Sequence, residues 1–254
     1  MTLLFGLDLV KTTRSIKALP LYVHDLSELK RQQKRSGGTF PFGQCYPCLD
    51  DRFAESGSAS GHYFHQDLLV ARRIFLNKPT LHVDIGSRVD GFVAHVAAFR
   101  SIEVFDIREL TSKTPNITFK RIDLMAKLDV HMHGYCDSLS CLHAIEHFGL
   151  GRYGDPIRFD GHIVGLENIY QLLQPGGRLY FSAPIGPQRI EFNAHRVFSL
   201  SYLLTLFKGR FKLDRCSFVN DVGDLYEDIA LSQEQIENNL GCTFGCGIFE
   251  LTKV

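Results

Sequence analysis

The stretch Leu81-His-Val-Asp-Ile-Gly-Ser-Arg-Val-Asp-Gly91 decides the fold. A short apolar run ends at Asp84-Ile85, and Gly86 follows at once, where a residue without a Cβ lets the chain turn sharply. Gly91 then opens Phe92–Phe99, which reads as a helix. Strand, glycine turn and helix form the repeating unit of a parallel sheet. Towards the C-terminus the unit recurs, with Ile102-Glu-Val-Phe-Asp106, Ile117-Thr-Phe-Lys-Arg-Ile122, Ser138-Leu-Ser-Cys-Leu142 and Arg178-Leu-Tyr-Phe-Ser182 as strands. Gly161–Leu173 reads as a helix stopped by Pro175-Gly-Gly177, and Phe198–Phe207 as another. Phe211–Val219 and Cys246–Leu251 are closing strands with no convincing long helix between them, which suits an antiparallel pair.

These elements predict an α/β protein with a Rossmann-like, doubly wound, mostly parallel sheet of about seven strands and an antiparallel last strand. Residues 80–254 are expected to form this domain, and residues 1–79 a helical and loop lid. Within the lid, Asp25–Gln33 reads as a short polar helix, and apolar residues at helical spacing (Leu68, Leu69, Ala71, Ile74, Phe75) predict a helix over Phe64–Leu76. The run Met1–Val10 is apolar but broken by Asp8, too short to span a bilayer and unlike a signal peptide. It is expected to form a buried helix or strand, leaving no integral membrane segment and a cytoplasmic location.

Lys and Arg total 28 against 28 Asp and Glu, so the basic footprint of a nucleic-acid binder is missing and a small-molecule substrate is expected. Seven cysteines, several in apolar runs (Cys136, Cys141, Cys216), fit buried reduced thiols better than a disulfide framework. Cys45 with Cys48, and Cys242 with Cys246, have the look of half-sites, but the spacing is loose for zinc and no metal is expected.

In a doubly wound sheet ligands bind at the carboxyl ends of the strands, where strand order reverses. Gly86 lets a ligand approach the backbone there. Asp106 closes the second strand, placed to accept hydrogen bonds from both hydroxyls of a ribose and to repel a 2′-phosphate. Asp123 follows the third strand, within reach of an adenine amino group. One such acid is often only a helix cap; two in order after a glycine turn carry more weight.

At these residues the chain resembles the class I S-adenosylmethionine-dependent methyltransferases. Asp84-Ile-Gly86 is similar to their first motif, Asp106 to their ribose acid and Asp123 to their adenine-side acid. Cys136-Asp-Ser-Leu-Ser-Cys-Leu-His-Ala-Ile-Glu-His147 aligns with the fourth-strand motif, Leu173–Leu179 with the turn before the fifth strand, and His195–Leu204 with the segment leading to the penultimate one. The resemblance implies S-adenosylmethionine as cofactor, held by Asp84, Gly86, Ser87, Gly91, Asp106, Asp123 and Leu142. More narrowly, His62-Tyr-Phe-His-Gln-Asp67 and Glu146–Asp155 resemble a poorly characterised methyltransferase-like family found among bacterial surface-glycan genes and in some invertebrates. The resemblance does not supply the substrate; the expectation is a small polar acceptor, with a sugar or surface-glycan intermediate as one candidate. The chain departs from the superfamily in its glycine loop: Arg88 stands at the second glycine position and Gly91 falls one place late. Arg88 either crowds the cofactor or turns its side chain outward towards the methionine carboxylate.

Transfer from a sulfonium is an in-line displacement governed by positioning, and a hydroxyl or amine acceptor also needs a base. His147, His143 and Glu146 follow the fourth strand as catalytic candidates, His147 being equally readable as a residue that only fixes the loop. His62, His65, Arg152, Asp155 and His195 are the candidates for substrate contacts. A non-catalytic module keeping the fold is the alternative, motivated by Arg88. A nicotinamide-dependent oxidoreductase ranks lower, because the compact Gly-x-Gly-x-x-Gly loop is missing.

Overall fold

Strands whose apolar side chains are buried on both faces gather into one sheet in a computed structural model, which describes residues 8–254 apart from residue 55. In chain order the elements are α1 (Leu9–Arg35), α2 (His62–Asn77), β1 (His82–Ile85), α3 (Ala94–Ala97), β2 (Ile102–Asp106), β3 (Ile117–Arg121), β4 (Cys136–Leu142), α4 (Gly161–Leu172) and β5 (Leu173–Ile185). Then come β6 (Arg189–Glu191), β7 (His195–Val197), α5 (Leu200–Phe207), β8 (Phe211–Val219), β9 (Leu225–Tyr226), α6 (Gln233–Glu237) and β10 (Gly245–Lys253). The eight-stranded sheet has the order β3-β2-β1-β4-β5-β10-β8-β9, and β6 pairs with β7 in a separate hairpin.

From β3 to β5 all pairings are parallel, while β10 lies antiparallel between β5 and β8. This is the doubly wound α/β sheet expected from sequence, with its last strand reversed. Strand order switches at β1, which has β2 on one side and β4 on the other. One face is covered by α4 and α5 through Leu166, Ile169, Leu200 and Leu203, and the other by α2 and α3 through Leu69, Val70, Ile74 and Val96. Each such side chain contributes roughly 1.5–3 kcal/mol by leaving water.

The chain divides between Ser58 and Ala59. The sheet unit therefore takes in α2, earlier than the boundary at residue 80 read from sequence, because α2 presents its apolar face to Ile248 of β10 and completes the core. In the preceding unit Asp8 caps α1 by accepting from the Val10 and Lys11 amides. The polar helix expected over residues 25–33 is the last part of this longer helix, which runs on through Pro20. The expected burial of the Met1–Val10 run does not hold at Val10, which is exposed; residues 1–7 lie outside the described residues. Among the described residues no helix is long and apolar enough to cross a membrane.

Two further differences have local causes. The helix expected over Phe92–Phe99 begins as a wide turn, Val89–Val93, and is regular only in α3. Gly91 has φ −119° and ψ −110° there, and a Cβ on it would lie 2.9 Å from Asp67 Oδ2, so the packing of α2 selects both the glycine and the kink. The segment from His195 forms β7 of a hairpin, which places Arg196 under the loop that follows β4. Its buried guanidinium donates to the carbonyls of Glu146, Phe148, Arg158 and Phe159 at 2.6–3.5 Å. Within that loop Gly149 sits at φ +78°, and an added Cβ would fall 1.9 Å from the Arg158 carbonyl oxygen.

Two predictions follow the buried polar groups of this framework. His82 is fully buried between Ser138 Oγ and Ser140 Oγ, and burial pushes its imidazole from 6.5 down to about 3. Between those values the unfolded chain binds a proton that the native chain refuses, so stability should fall as pH drops below 6.5, by up to ~1.4 kcal/mol per pH unit from this group. A stability–pH profile of His82→Gln should be shallower than that of the parent; identical slopes would contradict the assignment. Arg196→Lys cannot serve four carbonyls with one ammonium and should cost about 2–4 kcal/mol, read as a lower Tm and faster amide exchange over residues 146–159.

Candidate functional site

Because strand order switches at β1, the loops leaving β1 and β4 diverge and leave a cavity of about 370 Å³ above the carboxyl ends of the strands. Its floor is set by the fully buried carboxylate of Asp84. Asp84 accepts from the Ser87 amide (3.0 Å), Ser87 Oγ (2.7 Å) and Ser140 Oγ (2.5 Å), tying the turn after β1 to β4. Burial raises its carboxyl to about 6 against these bonds. Asp84 thus braces the turn from below, and the cavity wall is made by Gly86, Ser87 and Arg88. Gly86 has φ +68°, its amide donates to the Phe105 carbonyl, and a Cβ there would lie 3.2 Å from that of Ala144. Only a glycine satisfies that conformation beside that neighbour without displacing one of them.

Asp106 and Asp123, at the ends of β2 and β3, line the same cavity as Gly86, as does the buried Leu142. Asp123 Oδ1 accepts from the Met125 amide at 2.8 Å. Asp106 carries a two-pronged ion pair from Arg108, with Nε at 3.0 Å and Nη2 at 2.6 Å, and the Arg108 guanidinium lies 4.4 Å from the centre of the Tyr153 ring. Arg88 does not fill the cavity: its guanidinium is largely exposed and paired with Asp90 at 2.8 Å. It therefore does not crowd the cavity, and its partner is Asp90. Gly91 lies behind this wall against Asp67 and does not line the cavity.

The histidines after β4 are held in different ways. His147 lines the cavity, and its Nδ1 donates to the Ala194 carbonyl at 2.7 Å. A carbonyl only accepts, so the proton resides on Nδ1 and Nε2 keeps its lone pair. Burial lowers the His147 pKa, which favours this neutral form. His143 reaches the cavity with its ring but gives Nδ1 to Glu146 Oε1 at 2.7 Å. Glu146 is 1% exposed and lies between the two rings, with His147 Nε2 at 3.8 Å, and does not line the cavity.

The expected substrate residues separate into two groups. Arg152 and Asp155 line the cavity. Arg152 donates to the Ala194 carbonyl and lies over Tyr153, whereas Asp155 accepts from the amides of Gly149, Gly151 and Tyr153 and so shapes the loop. His62, His65 and His195 lie outside the lining. His62 stacks on His143 with centroids 5.2 Å apart, and burial pushes it down to about 4. His65 packs edge-on to Phe64, and His195 faces Glu191 at 3.3 Å and the Phe244 ring.

Sequence reasoning assigned no role to Tyr63, Gln66, Arg108 and Tyr153, which lie on the cavity wall together with Asp67. Gln66 and Asp67 are buried polar residues on the apolar face of α2, where burial raises the Asp67 carboxyl to about 6. That break in an apolar stripe was a readable signal. Nothing in sequence spacing showed that Arg108 turns back onto Asp106.

Residues 97–239, more than half of the chain, match the family described as Caenorhabditis protein of unknown function, DUF268. No curated protein matches the chain by sequence. Among solved structures, a 1,6-didemethyltoxoflavin-N1-methyltransferase of Burkholderia thailandensis, with bound 1,6-didemethyltoxoflavin and S-adenosylhomocysteine, aligns with a TM-score of 0.53 at 14% identity over 92% of this chain and 89% of its own. The [4+2]-cyclase SpnF aligns with a TM-score of 0.52 at 13% identity, over 74% of this chain and 80% of its own. The N-methyltransferase NodS of Bradyrhizobium japonicum aligns with a TM-score of 0.49 at 12% identity, over 76% and 88%. The chain has the fold of the S-adenosylmethionine-dependent methyltransferases and belongs to the DUF268 family.

Proposed function

We propose that this protein transfers a methyl group from S-adenosylmethionine to a small polar acceptor, with a sugar or sugar-linked intermediate as one such class. The observation that carries the reading is the convergence of the Asp106 and Asp123 carboxylates, from adjacent strand ends, on the cavity that begins at the Gly86 turn. The residues present fit the group. The cavity volume is that of a small-molecule site, Gly86 leaves the backbone open, and two acids face the space where an adenosine would place its donors. The S-adenosylhomocysteine bound in the Burkholderia enzyme supports the same choice.

When bound, S-adenosylmethionine supplies an activated methyl group whose transfer leaves a neutral thioether. Asp106 would accept from the ribose hydroxyls, with Arg108 moving off the carboxylate, and Asp123 from the adenine amino group. His147 Nε2 would take the proton of an acceptor hydroxyl or amine as its oxygen or nitrogen attacks, while Ala194 keeps the opposite ring nitrogen protonated. Arg152 and Tyr153 would orient the acceptor at the mouth, and the loop stays in place through Asp155 and Arg196.

A second reading has its own observation: the Arg108 pair already occupies Asp106, as in a module that keeps the fold without the chemistry. The [4+2]-cyclase with the same fold shows that this architecture does not by itself dictate methyl transfer. Calorimetric titration separates the two. S-adenosylhomocysteine should bind saturably to the parent, and Asp106→Ala should weaken it about tenfold, ~1.4 kcal/mol; absence of binding to the parent ends the methyltransferase reading. His147→Asn should leave this binding intact while lowering kcat by about 10²–10⁴ for a hydroxyl acceptor. In the parent, kcat should fall on the acid side as His147 Nε2 takes a proton, below the usual imidazole range because its pKa is lowered. An unchanged pH profile in His147→Asn would remove it as the base.

A further inference from the structure

We propose that His62, His143 and Cys246 form a binding site for one divalent cation of the zinc class, with Glu146 as the carboxylate that orients His143. The three donors come from the first residue of α2, the loop after β4 and the start of β10, and their ligand atoms all lie within 4.8 Å of one another. Tetrahedral zinc, with bonds of about 2.0–2.3 Å, holds its nitrogen and sulfur ligands roughly 3.3–3.6 Å apart. Loading therefore asks for movements of about an ångström, the scale of small side-chain torsions, in a pair of rings already near-parallel at 12°.

The second observation is an orphan. The His143 side chain is 5% exposed, its Nδ1 is engaged by Glu146, and its buried Nε2 makes no geometrically good hydrogen bond among the described residues, Cys246 being the group that interacts with the ring beside Glu146. A ligating histidine is usually held in this manner, one ring nitrogen on a carboxylate and the other free for the ion. His143 also sits at φ +49°, a conformation costly for a residue with a Cβ, and the ring is thereby directed at Cys246 and His62.

Charge and softness agree with this occupant. Glu146 is buried with Oε2 unpartnered, and a Cys246 thiolate would add a second negative charge. Together they balance a dication. A thiolate with two imidazoles selects zinc or a similar borderline ion over magnesium or calcium, which require oxygen ligands. Gln66, whose Oε1 lies 3.8 Å from Cys246 Sγ, faces both this cluster and the cavity, so a fourth position would open on the side where an acceptor sits. Glu146 would then serve as a positioning residue through His143, which differs from the role its place in the sequence first suggested.

The test is titration of the metal-depleted full-length protein with cobalt(II), followed by zinc(II). One equivalent of cobalt should give tetrahedral visible bands and a near-ultraviolet thiolate charge-transfer band, and zinc should bleach both. Cys246→Ser should lose the charge-transfer band while Cys242→Ser keeps it. His62→Ala, at a partly exposed helix start, should weaken cobalt binding at least tenfold with the parent's circular dichroism retained, so the outcome does not depend on how Cys246→Ser folds. A parent that shows no charge-transfer band, or a band that persists in Cys246→Ser or at full affinity in His62→Ala, overturns the site. S-adenosylhomocysteine titration of the same samples reports on the methyltransferase reading separately.

Discussion

A carboxylate buried where the sheet changes direction is the constraint on which the remaining architecture depends. Asp84 stands near the end of the strand shared by both halves of the sheet, fully shielded from bulk solvent. Desolvation costs several kcal/mol unless hydrogen bonds replace the lost hydration, and Ser87 and Ser140 supply them. Satisfying Asp84 therefore fixes the turn at Gly86, holds β1 against β4 and opens the space above them. The residues that define the cavity do so because this carboxylate has to be answered.

The loop after β4 obeys the same logic with the charge reversed. Arg196 is buried, pairs with no carboxylate among the described residues, and is satisfied by four main-chain carbonyls of one irregular segment. That segment carries His147, Arg152, Tyr153 and Asp155 to the cavity mouth. Irregular backbone is easily ordered in this way, since its carbonyls have no ladder of their own to join. Two opposite buried charges, one under each loop, thus brace the two walls of the cavity, while the Arg108–Asp106 pair lies at its edge with the arginine half exposed.

The extra histidines fall into place once both walls are drawn. His147 lines the cavity, tied by its Nδ1 to a carbonyl and with Nε2 3.8 Å from Glu146. His143 is tied to a carboxylate and directs its free nitrogen away, towards Cys246 and His62. Four residues apart in sequence, they sit in chemically distinct surroundings because the intervening turn is a single helical turn that places Glu146 between them.

Much of this was legible in the chain itself. The apolar runs around Val83, Val104, Leu139 and Phe181, each followed by a turn former or an acid, determined the parallel sheet, because burial on both faces demands continuous apolar strands. The strand-end position of Asp106, the late position of Asp123 and the need for glycine at Gly86 follow from the same local pattern. Tertiary structure decided what spacing does not encode: that Asp84 braces rather than lines the cavity, that Arg88 pairs with Asp90, that Arg108 returns to Asp106, and that His62 and Cys246, far apart in sequence, meet at His143. The physical reason is range. Periodicity and turn chemistry act over a few residues, whereas the partner of a buried charge or an imidazole nitrogen is whichever group the packed elements bring within about 3–4 Å.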